Sequence, residues 1–269
     1  SEGKIDIGQS FETTYEMFQG KDPRFLASIY VPGSSLLGST MQFQRGLILK
    51  DGSKYYAQSA PGPSYLLETY IDPETQRKDT IFGKDGGTYT GDASKTGFNI
   101  RKFVNENLKT EAQWDFGKTE TSFPIFRLAE VYLNLAEAAV EMGKYQTEAF
   151  EAIKKIRDRA GVVTPFAVVD VEKVRHERQV ELAFEGHRFW DMKRWRIAHL
   201  PVEQGGLNGF RGAGLHPFFD LRIRKYVFEV ANDLPKRQRV FTEKNYYTKF
   251  SGNDMNSNPS LIQNPEFLN

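Results

Sequence analysis

The segment ERQVELAFEGHRFWDMKRW, Glu177 to Trp195, decides the reading of this chain. Val174, Arg178, Glu181, Glu185, Arg188, Met192 and Trp195 recur at spacings of four and three, which predicts one stripe along a helix running from about residue 171 to 198. The stripe is charged in its middle and apolar at both ends. Four acids (Glu177, Glu181, Glu185, Asp191) are matched by four bases (Arg178, Arg188, Lys193, Arg194). Glu181 with Arg178, and Glu185 with Arg188, are therefore expected to form a structural ion-pair network. Gly186 interrupts the run at a cost of roughly 1 kcal/mol relative to alanine, which points to a close backbone contact or a kink.

Two more helices precede this segment. Pro124 suits a first helical turn, and Leu128, Tyr132, Leu135, Ala136 and Ala139 form one apolar face that ends at Gly143. From Gln146 to Ala160, the residues Ala149, Ile153, Ile156 and Ala160 share a face, with Gly161 as the stop. The short Gly-Lys-Tyr link makes the two an antiparallel pair of the size of one tetratricopeptide unit, with no second copy in the chain. Such a pair cannot bury both of its faces alone. It must pack on the third helix or on material outside this chain.

Outside these helices the sequence is punctuated. Val31-Pro32-Gly33, Lys50-Asp51-Gly52, Ala60-Pro61-Gly62-Pro63 and Asp85-Gly86-Gly87 are turn signals, and Ser28 to Val31 and Met41 to Leu49 read as short strand-like stretches. After Leu200 come five glycines, a mixed basic and aromatic stretch, and a tail that Leu261, Ile262, Phe267 and Leu268 are expected to anchor. The expected fold is mostly α, a helical hairpin of tetratricopeptide type plus a loop-rich region with short helices and strands. Its parts are 1–122, loop-rich with candidate ligand-binding loops; 123–200, the helical core; and 201–269, an irregular carboxy-terminal wrap, together one structural unit.

Composition narrows the chemistry. The chain has 269 residues, 39% of them hydrophobic, enough for a sizeable core. Thirty-six Lys and Arg against 35 Asp and Glu give no broad attraction for nucleic acid or an acidic membrane surface. The absence of cysteine removes disulfides, thiolate metal sites and a cysteine nucleophile. No run of about 18 apolar residues is present to span a bilayer, and the chain reads as soluble.

Known catalytic patterns fail on particular residues. His176-Glu177 begins like the zinc helix His-Glu-x-x-His, but Val180 stands where the second histidine is needed. Gly83-Lys84 and Gly86-Gly87 are too short and wrongly spaced for a phosphate loop, and no serine stands in Gly-x-Ser-x-Gly. Neither a metal nor a cofactor is expected. Glu181 and Glu185 are the one tempting acid–base pair for a glycoside hydrolase, where such groups lie about 5 to 9.5 Å apart. Their matched bases favour the structural reading. The remaining resource is aromatic: Tyr55, Tyr56, Tyr65, Tyr89 and Trp114, whose rings on loops would stack on sugar faces while neighbouring polar side chains bond the hydroxyls.

Three stretches together resemble the SusD/RagB family of outer-membrane nutrient-binding proteins. They are FPIFRLAEVYLNLAEA (Phe123 to Ala138), AIKKIRDRAGV (Ala152 to Val162) and the opening segment, with its pattern ER-x-x-EL-x-FEG-x-R-x-x-D-x-x-RW. Asp22-Pro23-Arg24, Gly97-Phe98, Arg101-Lys102-Phe103 and Gln263-Asn264-Pro265 are weaker echoes. The likeness is to the carboxy-terminal part of such proteins. Two departures stand near the end, Tyr247-Thr248-Lys249-Phe250 in place of a Pro-Ile-Pro stretch and Glu266 in place of a glycine. The resemblance implies a non-catalytic protein, lipid-anchored at the outer membrane through a part preceding this chain. It would capture an oligosaccharide or similar nutrient and hand it to a SusC-like TonB-dependent transporter. A helical-repeat adaptor that binds only protein is the alternative.

Overall fold

A computed structural model describes residues 7–56, 68–85, 94–107, 121–231 and 238–267. The chain divides into two compact units, Ser1–Glu185 with Ala213–Leu234, and Gly186–Gly212 with Pro235–Asn269.

The first unit is built around a sheet and a helical layer. Helix α1 (Pro23–Ser28) starts with proline in its first turn, and the Asp22 side chain accepts from the Arg24 amide to cap it. Helices α2 (Leu128–Glu141) and α3 (Gln146–Arg159) are the expected antiparallel pair, and α4 (Val171–Glu181) packs on both. Their shared core holds Leu133, Ala136, Ala139, Ala149, Ala152, Ile153, Ile156, Val169, Val174 and Leu182. Alanines at the α2–α3 contact let the two backbones come close. The buried face of α2 is offset from the expected one, because Leu128 and Leu135 lie outside at 63% and 47% exposure. With Val131 and Met142 they form a second apolar stripe, open to solvent.

A five-stranded sheet overturns the expectation of a mostly-α fold. Its order is Ser10–Phe11, Lys225–Ala231, Gly214–Asp220, Gly46–Ile48, Lys54–Tyr55. Gly214–Asp220 and Gly46–Ile48 run parallel and every other neighbour is antiparallel, so the sheet is mixed. Among the described residues helix accounts for 32% and strand for 17%, and neither class dominates. The two seven-residue strands come from the stretch read as irregular wrap. Leu215, Phe228 and Ala231 are buried there, with Phe219 and Tyr226 partly so, but Arg222, Arg224 and Lys225 interrupt the two-residue period at the turn. Pairing with Gly46–Ile48 lies far away in sequence and leaves no local mark.

The predicted helix over residues 171–198 is also two helices. Helix α4 ends at Glu181 and α5 (His187–Arg194) begins after Gly186, because Phe184 and Gly186 take left-handed backbone angles, φ 66° and 82°. The stripe from Val174 to Trp195 therefore does not continue as a single face.

The second unit, taken by itself, has α5, a short helix α6 (Gly252–Ser257) with a Ser251–Asp254 capping box, and a small core of Met192, Ala198 and Phe241. In the tail, the Gln263 amide does what a strand would do. It accepts from the Phe250 amide at 2.9 Å and donates to the Phe250 carbonyl at 3.0 Å. Ile262 is 79% exposed, so it is no anchor; polar bonding holds this stretch, while Leu268 falls outside the described residues.

Gly97 and Gly143 share a positive φ but differ in surroundings. A Cβ on Gly97 would lie 2.1 Å from the Leu215 carbonyl oxygen, whereas one on Gly143 would meet nothing within 4 Å. Gly143→Ala should lose about 1 kcal/mol and Gly97→Ala about 2–4 kcal/mol, measured by urea denaturation. Equal losses would show that the close approach at Gly97 carries no weight.

Candidate functional site

Three glutamates of the decisive segment lie at the centre of an ionic cluster in the first unit. Glu177 and Glu181 stand four apart on α4, on one face, and Glu185 follows the helix end. Their side chains are only 1–2% exposed. Arg24 sends Nη1 to Glu177 Oε1 at 2.5 Å and to Glu181 Oε2 at 3.1 Å, while Asp22 holds its other edge at 2.7 and 3.0 Å. Arg157, in the last turn of α3, donates to Glu177 Oε2 at 2.7 Å, and Arg159 to Glu181 Oε1 at 2.7 Å. Arg127, the residue before α2, reaches Glu181 Oε1 at 2.7 Å and forks onto Glu185 at 2.7 and 2.8 Å. Lys102 completes the set on Glu185 Oε1 at 2.5 Å and the Ala183 carbonyl at 2.9 Å.

Every carboxylate oxygen of the three glutamates thus accepts from a cation. Burial by itself would raise the Glu185 carboxyl, but hydrogen bonds and charge from Arg127 and Lys102 bring it below the ordinary carboxylate value. Asp22 is lowered in the same way, burial being outweighed by Arg24. The chemistry this permits is structural. All the oxygens are occupied, and charge-assisted bonds of this length fix five chain segments to one another.

The cations are not those nearest in sequence. Arg178, 4% exposed, faces α2, where it donates to Asn134 Oδ1 at 2.8 Å and lies 3.7 Å from Glu130. Arg188 belongs to the second unit, its guanidinium 5.9 Å from the Trp195 ring centroid. The partners of Glu181 and Glu185 come from Asp22-Pro23-Arg24, Lys102, Arg127 and the end of α3. Those are the same short stretches that the resemblance had marked.

Tyr55 and Tyr56 are half-buried and touch different neighbours. The Tyr55 ring meets Tyr70 edge-on at 5.4 Å over a core of Leu47, Ile81, Phe82 and Leu221, and Tyr56 meets Phe218 at 6.0 Å. Tyr65, Tyr89 and Trp114 lie outside the described residues. A more exposed aromatic cluster stands within the decisive segment itself, where the matched charges mask its aromatic content. Trp190 is 65% exposed, Phe189 lies 5.3 Å away, and the Lys193 ammonium sits 5.5 and 5.7 Å from the two rings. Among the described residues no group of three His, Cys, Asp or Glu side chains is placed to hold a metal, and no helix is long and apolar enough to cross a membrane.

Removing one member of a buried, paired set strands the others. Glu181→Gln should cost about 3–5 kcal/mol in chemical denaturation, against less than about 0.5 kcal/mol for Asp158→Asn in the exposed Lys154 pair. Because the Glu185 carboxyl is lowered in the folded state, its stabilisation is present above the unfolded value of about 4.3 and lost as pH falls through the folded one. The denaturation midpoint should fall below that pH, and Glu185→Gln should flatten the fall.

Comparison with known proteins agrees with this architecture. The model of the SusD family matches residues 4–267. The chain is 31% identical over 101 residues to SusD-like protein P2 of Formosa agariphila, covering 34% of this chain and 20% of that protein. It is 39% identical over 80 residues to SusD-like protein P25 of the same organism, covering 27% and 15%. A solved structure of a SusD-like carbohydrate-binding protein from Bacteroides fragilis superposes with a TM-score of 0.56 at 23% identity, covering 97% of this chain and 44% of that one, a likeness of fold. The chain spans less than half of that structure, and its matches cover a fifth or less of the two curated relatives. With the family model matched almost from end to end, and the resembling stretches converging on one buried carboxylate cluster, the chain belongs to the SusD family.

Proposed function

We propose that this chain is part of a non-catalytic surface protein of the outer membrane that captures an oligosaccharide or similar nutrient and delivers it to a SusC-like TonB-dependent transporter. Membership of the SusD family carries the reading. It is supported by the state of Glu181 and Glu185, whose oxygens are taken up by Arg24, Arg127, Arg159 and Lys102. A glycoside hydrolase needs one carboxyl free to protonate a leaving group and another free to attack or activate water. Ligand contacts in the first unit are assigned to the loops before residue 123, with Tyr55, Tyr56, Tyr65, Tyr89 and Trp114 as stacking residues there. A second reading, an adaptor that binds only protein, is favoured by the open apolar stripe of Leu128, Val131, Leu135 and Met142 on α2.

Titration calorimetry of the full-length protein against a panel of oligosaccharides should give saturable binding to at least one glycan, with no new reducing ends after prolonged incubation. Co-purification with the transporter barrel should survive removal of the glycan. Binding of peptides with no binding of any glycan would overturn the sugar reading, and release of reducing ends would overturn the non-catalytic one.

A further inference from the structure

The two units differ in charge. Counted from their boundaries, the second unit has ten Lys and Arg against five Asp and Glu, a balance of +5, while the whole chain stands at +1 and the first unit at −4. The same unit holds nine aromatic residues, and several of its described cations sit on their rings. Lys193 lies over Phe189 and Trp190, Arg194 over Trp195 at 5.3 Å, and Arg196 over Tyr246 at 4.0 Å and Tyr247 at 5.5 Å. Its one acid on α5, Asp191, is buried and bonded to Arg194 at 3.1 Å. The acid on the same helix as the exposed rings is therefore already engaged.

Cations in the last turn of a helix also suit its dipole, and ring–cation contacts add modest stability. That accounts for the positions of Lys193 and Arg194 but not for Trp190. An indole placed for packing alone buries its faces, yet Trp190 remains 65% exposed beside a 44% exposed Phe189.

We propose that the Phe189–Trp190–Lys193 face of α5 is a subsite for an acidic glycan, one whose sugar units bear carboxylate or sulfate groups. This rests on the glycan-capture reading and names the substrate class for it. The C–H face of a pyranose stacks on the exposed indole, and its anionic substituent pairs with the Lys193 ammonium, with Arg194 and Arg196 adding positive field along the chain. A neutral sugar gains only the stacking.

The test uses the full-length protein, calorimetry, and three probes: an oligouronate, a sulfated oligosaccharide, and a neutral oligosaccharide of similar length. At least one acidic probe should bind more tightly than the neutral one. That affinity should fall about tenfold in Trp190→Ala and several-fold in Lys193→Gln, and it should weaken between low and high salt. The Lys193→Gln variant keeps the ring, and an unchanged thermal midpoint shows that its fold is intact. Acidic binding that ignores Trp190→Ala, marking diffuse attraction to a basic surface, overturns the subsite. So does neutral-glycan binding as tight as acidic binding, although glycan capture then stands. If no probe and no other glycan binds, and a protein segment covers Trp190 instead, both readings fall.

Discussion

Three carboxylates with almost no exposure must each find cations, and the way they do so orders the first unit. A buried glutamate is tolerable only when its charge is matched and all its lone pairs are engaged. Glu177, Glu181 and Glu185 meet this condition by drawing in Arg24 from the first turn of α1, Lys102 from a loop, Arg127 from the threshold of α2, and Arg157 and Arg159 from the end of α3. Each segment arrives from a different part of the chain. An apolar contact tolerates sliding, but a forked guanidinium bond does not. The cluster therefore sets the registers of α1, α2 and α3 against α4, while the alanine-rich α2–α3 seam supplies the burial.

The same segment changes role where its helix breaks. Up to Glu185 it looks inward, and its acids serve the cluster. After Gly186 it belongs to the second unit, where α5 turns basic and aromatic side chains outward. Two left-handed residues, Phe184 and Gly186, are the joint between these roles. On a single unbroken helix the stripe would have continued from Glu185 to Arg188, and scaffold and surface could not have been separated so sharply.

Helical parts were the most legible. The boundaries of α3 and the α2–α3 hairpin follow from three-and-four spacing and from glycine stops at Gly143 and Gly161, all local signals. The buried face of α2 was less so, because Leu128, Val131, Leu135 and Met142 are as apolar as the face that is covered. The strands Gly214–Asp220 and Lys225–Ala231 were hidden by Arg222, Arg224 and Lys225 at their turn and by a parallel neighbour far away in sequence. Of the candidate aromatics, the sequence supplied residue types on loops. The described ones, Tyr55 and Tyr56, turn out to be half packed against Tyr70 and Phe218.

What the sequence determined by itself was that Glu177 to Trp195 is helical at both ends and balanced in charge, four acids against four bases. Composition alone demanded partners for them. Which partners was decided only in three dimensions. Sequence proximity pointed to Arg178 and Arg188, one turn away on an assumed continuous helix. Burial pointed elsewhere, because α4 turns its glutamates toward the α1, α2 and α3 termini and Arg178 toward Asn134 and Glu130 of α2. Charge balance is a property of composition, but pairing depends on which face is covered. That is fixed by the long-range packing of helices and strands, on which local spacing is silent.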